Sequence, residues 1–502
     1  MRSITPALLT MTLPALLSAG APSRASAQEL PSKLETRLDR WYRDARRQAP
    51  GDWGIVVADQ QGQILWSVNQ DEPLIPASTV KLFTTGYART VLGGDARRST
   101  RVVGYGRIDE GTGEWVGKWA LELNGDPTLE SPDGRGPRLR DLANQLALSG
   151  VRRLRGPLSA VSADGGAAEA TFPNAWRAGN WGSIYTPLVG ALTLHENIVW
   201  LNVQPGYKPG IRPTLVETSP AGLNALVDMH ATTVAGSRSR LRIRRMADGG
   251  YLVTGQVGAR AGLRRLVTVA ADPKAVLAAA WAQALQQAGI DWDRTPSIMN
   301  LENAPTQVLA EVVSAPFDSV AYDINRRSLN IGAELLLRWA AGREDGPEEL
   351  TEHVQQVAGV AGGVRLVDGS GMSHEDRVTP ATFVYYMANF QNTPAGRNFS
   401  SLLPANGQGT LARLAGGLPA QGVVRAKTGT LSGVSTLVGY LGRKDGVFLV
   451  SLMYNGSRAH AAKRNQWSVF RLLGADGASI PSDDEEAAAE EAGQLGGDQI
   501  DN

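Results

Sequence analysis

Between residue 99 and about residue 300 this 502-residue chain changes texture. On both sides of that stretch apolar residues recur with a helical period. Within it, short alternating segments such as Trp119-Ala-Leu-Glu-Leu and Val199-Trp-Leu-Asn-Val are separated by Gly, Pro and Asn. Leu241-Arg-Ile-Arg-Arg-Met and Tyr251-Leu-Val-Thr continue the pattern, and residues 271–288 read as one helix near its end. Two helical territories around a strand-rich one admit few architectures. The simplest is an α/β (α+β) domain split by a largely β insertion. No solenoid-type repeat competes with it.

The flanking segments carry their own signals. Residues 30–47 are charge-rich with a helical period. Gly54-Ile-Val-Val-Ala-Asp and Ile64-Leu-Trp-Ser-Val, joined through Gln60-Gln-Gly-Gln, read as a β-hairpin. After Pro76 a helical pattern runs over 77–92 and stops at Gly93-Gly94. Helical runs return over 304–341. Strand-like segments close the body, among them Ser435-Thr-Leu-Val-Gly-Tyr-Leu and Val447-Phe-Leu-Val-Ser-Leu.

The two ends differ from the body. Arg2, an apolar stretch from Ile4 to Leu17, and Ala25-Ser26-Ala27 form the pattern of a secretory signal cut before Gln28. No later run approaches the roughly 20 apolar residues of a membrane span, so no membrane span is expected in the mature chain. The stretch 483–502 holds eight acidic and no basic residues and reads as a disordered tail. Without these ends the body has 48 basic and 41 acidic residues, a net charge near +7 that suits a polyanionic wall polymer. Cysteine is absent, which excludes a cysteine nucleophile and a thiolate metal site. The five histidines show no His-Glu-x-x-His spacing and no serine sits in Gly-x-Ser-x-Gly, so a zinc protease and an α/β-hydrolase elbow lack support.

Chemistry concentrates in three short motifs. Ser78-Thr-Val-Lys81 places a hydroxyl and an amine one helical turn apart on one face. A lysine can lose its proton and act as a base, whereas arginine cannot. Lysine is scarce here, occurring only at 33, 81, 118, 208, 274, 427, 444 and 463 against a combined Lys and Arg total of 50, and only Lys81 has a serine three residues before it. Near a helix N-terminus the Ser78 N–H also lacks an intrahelical partner and is available to an oxyanion. Ser328-Leu329-Asn330 opens a helical run, a weak pattern that Ser67-Val68-Asn69 shares. Lys427-Thr428-Gly429-Thr430 leads toward a strand at what can be a sheet edge, where glycine permits close approach of a ligand.

Ser-x-x-Lys, Ser-x-Asn and Lys-Thr-Gly in this order form the signature of penicillin-binding proteins and serine β-lactamases. The two serines stand 250 positions apart, room for a whole inserted domain. The chain resembles the D-alanyl-D-alanine carboxypeptidase/endopeptidase family of penicillin-binding-protein-4 type, peptidase family S13, over residues 50–460. Pro76-Ala-Ser-Thr-Val-Lys-Leu, Leu123-Asn-Gly-Asp-Pro-Thr-Leu, Asp368-Gly-Ser-Gly-Met-Ser and Gly439-Tyr-Leu carry the likeness. Three positions depart. His374 follows Gly-Met-Ser where the family often has arginine, Leu329 stands where aspartate is common, and Ala160-Val-Ser-Ala-Asp-Gly-Gly lacks the usual Asp-x-Ser-x-Phe.

The resemblance implies a penicillin-binding-protein/β-lactamase-like transpeptidase domain, an antiparallel sheet flanked by helices, at 28–98 and 301–480. A signal peptide would occupy 1–27, the β-rich insertion 99–300 with a smaller nested domain around 198–265, and the tail 481–502. It implies serine-type D-Ala-D-Ala carboxypeptidase and D,D-endopeptidase chemistry on peptidoglycan stem peptides, with β-lactam antibiotics as inhibitors, in the periplasm. Neither nucleic acid nor any metal or organic cofactor is called for. Ser78 would form the acyl-enzyme and Lys81 would take its proton, its pKa lowered by burial and a nearby Lys427. Ser328 would relay a proton to the leaving amine, and Asn330 would position substrate and Lys81. Lys427, with Thr428, Gly429 and Thr430, would bind the terminal carboxylate, and the backbone N–H groups of Ser78 and Thr430 would form the oxyanion hole. A serine β-lactamase or a catalytically slow wall-binding protein would use the same motifs; the oligomeric state is open.

Overall fold

The computed structural model describes residues 30–295, 306–342, 346–415, 418 and 422–474. The expected signal and acidic tail lie outside them. Two segments far apart in sequence build one five-stranded sheet. Its order is Ile64–Val68, Asp52–Ala58, Gly446–Asn455, Val434–Arg443, Val424–Leu431, with every neighbouring pair antiparallel.

Period-two alternation explains how this sheet is buried on both faces. In Asp52–Ala58, Trp53, Ile55 and Val57 pack with Leu38, Ala45, Val469 and Phe470 of the helices Ser32–Gln48 and Ala459–Leu472. Val56 and Ala58 point the other way, into a core built by Val80–Leu92, Phe317–Arg327, Asn330–Ala341, Gly346–Ala358 and Pro380–Phe390. Phe83 stacks on Phe383 in that core, ring centroids 4.5 Å apart. The result is a helix–sheet–helix sandwich whose edge strand, Val424–Leu431, carries the Lys-Thr-Gly motif.

The insertion leaves and returns at one seam. Ser99–Ile108 pairs antiparallel with Gln307–Val313, Ser99 opposite Val313, so entry and exit lie side by side. This moves the return boundary from 300 to 313. The helical reading of 304–341 correctly places Phe317–Arg327 and Asn330–Ala341, but residues 307–313 are a strand whose partner lies some two hundred positions earlier. Glu114–Glu122 and the short strands Arg153–Arg155 and Asp291–Asp293 extend the same sheet. Within 198–265, two small sheets form around Ile198–Gln204 and Tyr251–Gly258. Their Val199, Leu201, Tyr251 and Val253 share one hydrophobic cluster with Trp119, Leu142 and Trp281, so that stretch has no core of its own.

Candidate active site

Ser78 lies in a single 3-10 turn, Ala77–Thr79, that runs into the helix Val80–Leu92. The turn is wound tightly. Ala77 takes a left-handed φ of 50°, a conformation that costs a non-glycine residue about 1 kcal/mol or more. The Thr79 hydroxyl donates to the Pro76 carbonyl at 2.7 Å. Two glycines close in on it. A Cβ on Gly371 would stand 1.9 Å from the Ala77 carbonyl oxygen, and one on Gly429 would stand 2.6 Å from that of Pro76. The sequence pointed to Gly429 as a place for a ligand to approach; what approaches is the nucleophile's own turn.

Lys81 is fully buried. Its ammonium donates to Ser78 Oγ at 3.0 Å, Asn330 Oδ1 at 2.7 Å and the Ser370 carbonyl at 2.5 Å. Burial pulls its pKa down to about 7, although Asp368, Glu334 and Asp376 pull the other way. The expected help from a second cation falls elsewhere. It is Lys427, also fully buried, whose pKa is driven down by burial and by repulsion from Lys81 and Lys463.

Ser328 sits just after the helix Phe317–Arg327 with φ 58°, a left-handed stop that separates it from Asn330–Ala341. Lys427 Nζ donates to Ser328 Oγ at 2.9 Å and to the Thr428 carbonyl at 2.8 Å. This revises its expected part in carboxylate binding. With no exposed surface, Lys427 holds Ser328 through its Nζ, while Thr428 and the exposed Thr430 face the cleft directly. Ser78, Lys81, Ser328, Asn330, Lys427 and Thr430 thus converge from three segments far apart in sequence, Lys427 lying 99 positions beyond Ser328.

Sequence reasoning missed two sets of residues. Beneath Lys81 lie three buried acids. Asp368 accepts from the Gly371 and Ser373 N–H groups at 2.6 and 2.8 Å, Asp376 from Val367 N–H at 2.8 Å, and Glu334 from Gly369 N–H at 3.3 Å. They hold the 367–373 loop whose Ser370 carbonyl receives Lys81. Burial raises all three pKa values, that of Glu334 to about 7 with Asp368 adding to it. Glu334 had a signal: it is a lone acid one turn beyond Asn330 in an otherwise apolar run.

The second set comes from the insertion. The Tyr185 carbonyl accepts from Asn330 Nδ2 at 2.9 Å. Glu196 holds Arg327, the neighbour of Ser328, through two contacts of 2.6 and 2.8 Å. It does so from three successive left-handed residues, His195, Glu196 and Asn197, with φ of 51°, 58° and 52°. Such strain persists only where surrounding contacts fix it. Here Asn197 Nδ2 donates to the Leu188 and Leu192 carbonyls, and His195 Nε2 meets Ser219 Oγ.

Between the insertion and the catalytic sheet lies a cleft of about 960 Å³, lined by Ser78, Tyr185, Asn330, Met372, Thr428 and Thr430 among others. His374, the departure from the family pattern, does not line it. Among the described residues no group of three or more His, Asp or Glu is arranged to hold a metal ion, and no helix is long and apolar enough to cross a membrane.

A serine hydroxyl touching a buried lysine whose pKa is drawn down to about 7, beside a second Ser–Lys pair whose lysine lies on a sheet edge, defines a serine acyl-transfer enzyme of the penicillin-binding fold. The chain belongs to the D-Ala-D-Ala carboxypeptidase 3 (S13) family, whose profile matches residues 34–473. It is 30% identical over 486 residues to a D-alanyl-D-alanine carboxypeptidase of Actinomadura sp. (strain R39), covering 90% of this chain and 86% of that protein. A carboxypeptidase of Mycobacterium tuberculosis is 30% identical over 416 residues, covering 78% and 73%. The crystal structure of penicillin-binding protein 4 from Haemophilus influenzae shares the fold, with a TM-score of 0.68 at 21% identity over 86% of this chain and 98% of that one.

Proposed function

We propose that this serine peptidase hydrolyses the D-Ala-D-Ala bond of peptidoglycan stem peptides through a Ser78 ester. Lys81 takes the Ser78 proton as Oγ attacks the carbonyl. The tetrahedral oxyanion forms against the Ser78 and Thr430 N–H groups. The Ser328 hydroxyl passes a proton to the departing D-Ala amine, with Lys427 behind it, and Thr428 and Thr430 receive the terminal carboxylate. Water then hydrolyses the ester, with the Lys81 and Ser328 side returning the protons. Asn330 holds Lys81 through Oδ1 and orients the substrate amide. A β-lactam, whose strained amide opens on the same serine, stays bound as the acyl-enzyme.

One observation carries this reading: Lys81 Nζ lies 3.0 Å from Ser78 Oγ in a site that excludes water from the amine. The S13 relatives support the substrate class. The N-terminal pattern of residues 1–27 supports export, with the periplasm as the site of action; an N-terminus at Gln28 in protein from the cell envelope is the expected result.

Intact-mass spectrometry with benzylpenicillin, followed over time, tests the proposal. A lasting single adduct on the Ser78 peptide, together with D-Ala release from acyl-D-Ala-D-Ala, is expected. Rapid drug loss without an adduct would mean a β-lactamase, and neither signal would mean a wall-binding protein.

A further inference from the structure

The cleft does not end at the site of a terminal carboxylate. Past Thr428 and Thr430 its wall continues to Lys463, a half-buried residue in the first turn of Ala459–Leu472. Lys463 has no carboxylate partner among the described residues; its ammonium lies 5.2 Å over the Trp467 ring, and it is in mutual repulsion with the cations Lys427 and Arg413. Arg265, which also lines the cleft, lies over Trp200 at 4.5 Å and donates to Asn202 Oδ1 at 3.2 Å, with no carboxylate partner among the described residues. Among the described residues Glu196 is the single carboxylate lining the cleft, and Arg327 already holds it. The cleft, about 960 Å³ in all, therefore carries two cations without carboxylate partners among the described residues. Such a volume is typical of a site for a ligand of many atoms, far more than one alanine.

We propose that Lys463 forms a second anion subsite on the leaving-group side, which takes a carboxylate borne on the side chain of the departing fragment. The preferred leaving group is then a residue that carries a second, side-chain carboxylate. This rests on the Ser78 reading above, which fixes which end of the cleft receives the leaving amine. Lys427 is sealed from solvent, so Lys463 is the cation on that wall that a substrate can touch.

The test uses the mature protein and two substrates with one acyl part. They carry, as the residue after the scissile bond, D-2-aminoadipate or its side-chain amide. Wild-type kcat/KM should favour the acid by about tenfold, and the preference should shrink as salt is added. Lys463→Met should bring the ratio to about one, and Lys463→Arg should keep most of it. Benzylpenicillin labelling of Ser78 in each variant reports whether the site is intact. A wild-type ratio near one, or a preference that survives Lys463→Met, overturns the subsite while labelling persists. Absence of both labelling and turnover in the wild type overturns the Ser78 reading itself. Should Lys463→Met fail to fold, the salt dependence of the wild-type ratio decides in its place.

Discussion

Replacing Lys81 by arginine keeps the charge and length of the side chain but removes the neutral amine. The expected loss follows from the site. An ordinary lysine, with a pKa of about 10.4, is neutral in roughly one molecule in 2,500 at pH 7. Lys81, drawn down to about 7 by complete burial, is neutral in about half. Burial therefore supplies the base in about a thousandfold greater amount. Arginine, with a pKa above 12, stays protonated in proteins. The Lys81→Arg protein should thus acylate with benzylpenicillin at least about 10³-fold more slowly at pH 7. In the wild type the acylation rate should rise tenfold per pH unit below about 7 and level off above it, because only the deprotonated amine can accept the Ser78 proton. Stopped-flow acylation between pH 5.5 and 9 reads both effects. A flat profile, an inflection near 10, or substantial labelling of the arginine variant would refute Lys81 as the base.

Three further outcomes are expected. Asn330→Asp would place an anion where Oδ1 now meets Lys81 at 2.7 Å, raise the lysine pKa, and move the acid limb above 7 with about tenfold slower acylation at pH 7; an unmoved limb would contradict this. Glu334 binds more protons folded than unfolded between its ordinary 4.5 and about 7, so it withdraws stability as pH rises through that window. Glu334→Gln should accordingly raise Tm by about 2–4 °C at pH 8 and not at pH 4.5, while shifting the acylation limb to lower pH; the reverse pH order of Tm gains would sink the argument. Gly371→Ala would press a Cβ to 1.9 Å from the Ala77 carbonyl at a φ of +74° and displace the nucleophile's turn. Acylation should fall about a hundredfold in protein that still folds by circular dichroism, and a normal rate would refute the contact.

The sequence made visible what repeats locally or sits in short motifs. Apolar runs within Asp52–Ala58 and Val434–Arg443 announced strands, and the helical period of 77–92 and 304–341 announced the walls of the site. Gln307–Val313 escaped because its apolar residues run on into the next helix and its pairing partner is Ser99–Ile108. The buried acids escaped for a related reason. Asp376 looks like an ordinary loop residue and Asp368 stands out only as part of a family motif; folding brings both beneath Lys81 with Glu334. Motifs also carried more than geometry would grant. Lys427 reads as a carboxylate ligand by its place in Lys-Thr-Gly, yet burial turns it toward Ser328.

The seam at Ser99 and Val313 makes the insertion a cassette: its two ends lie abreast, so a short bridge could replace it without pulling the catalytic sheet apart. Its grip on the machinery is nevertheless firm, since Tyr185 steadies Asn330 and Glu196 anchors the residue before Ser328. A protein with the cassette excised would retain Ser78, Lys81 and Lys427 but lose the clasp on the motif between them. The insertion is thus less an appendage than the far jaw of a vice, and loosening it would detune the base from some distance away.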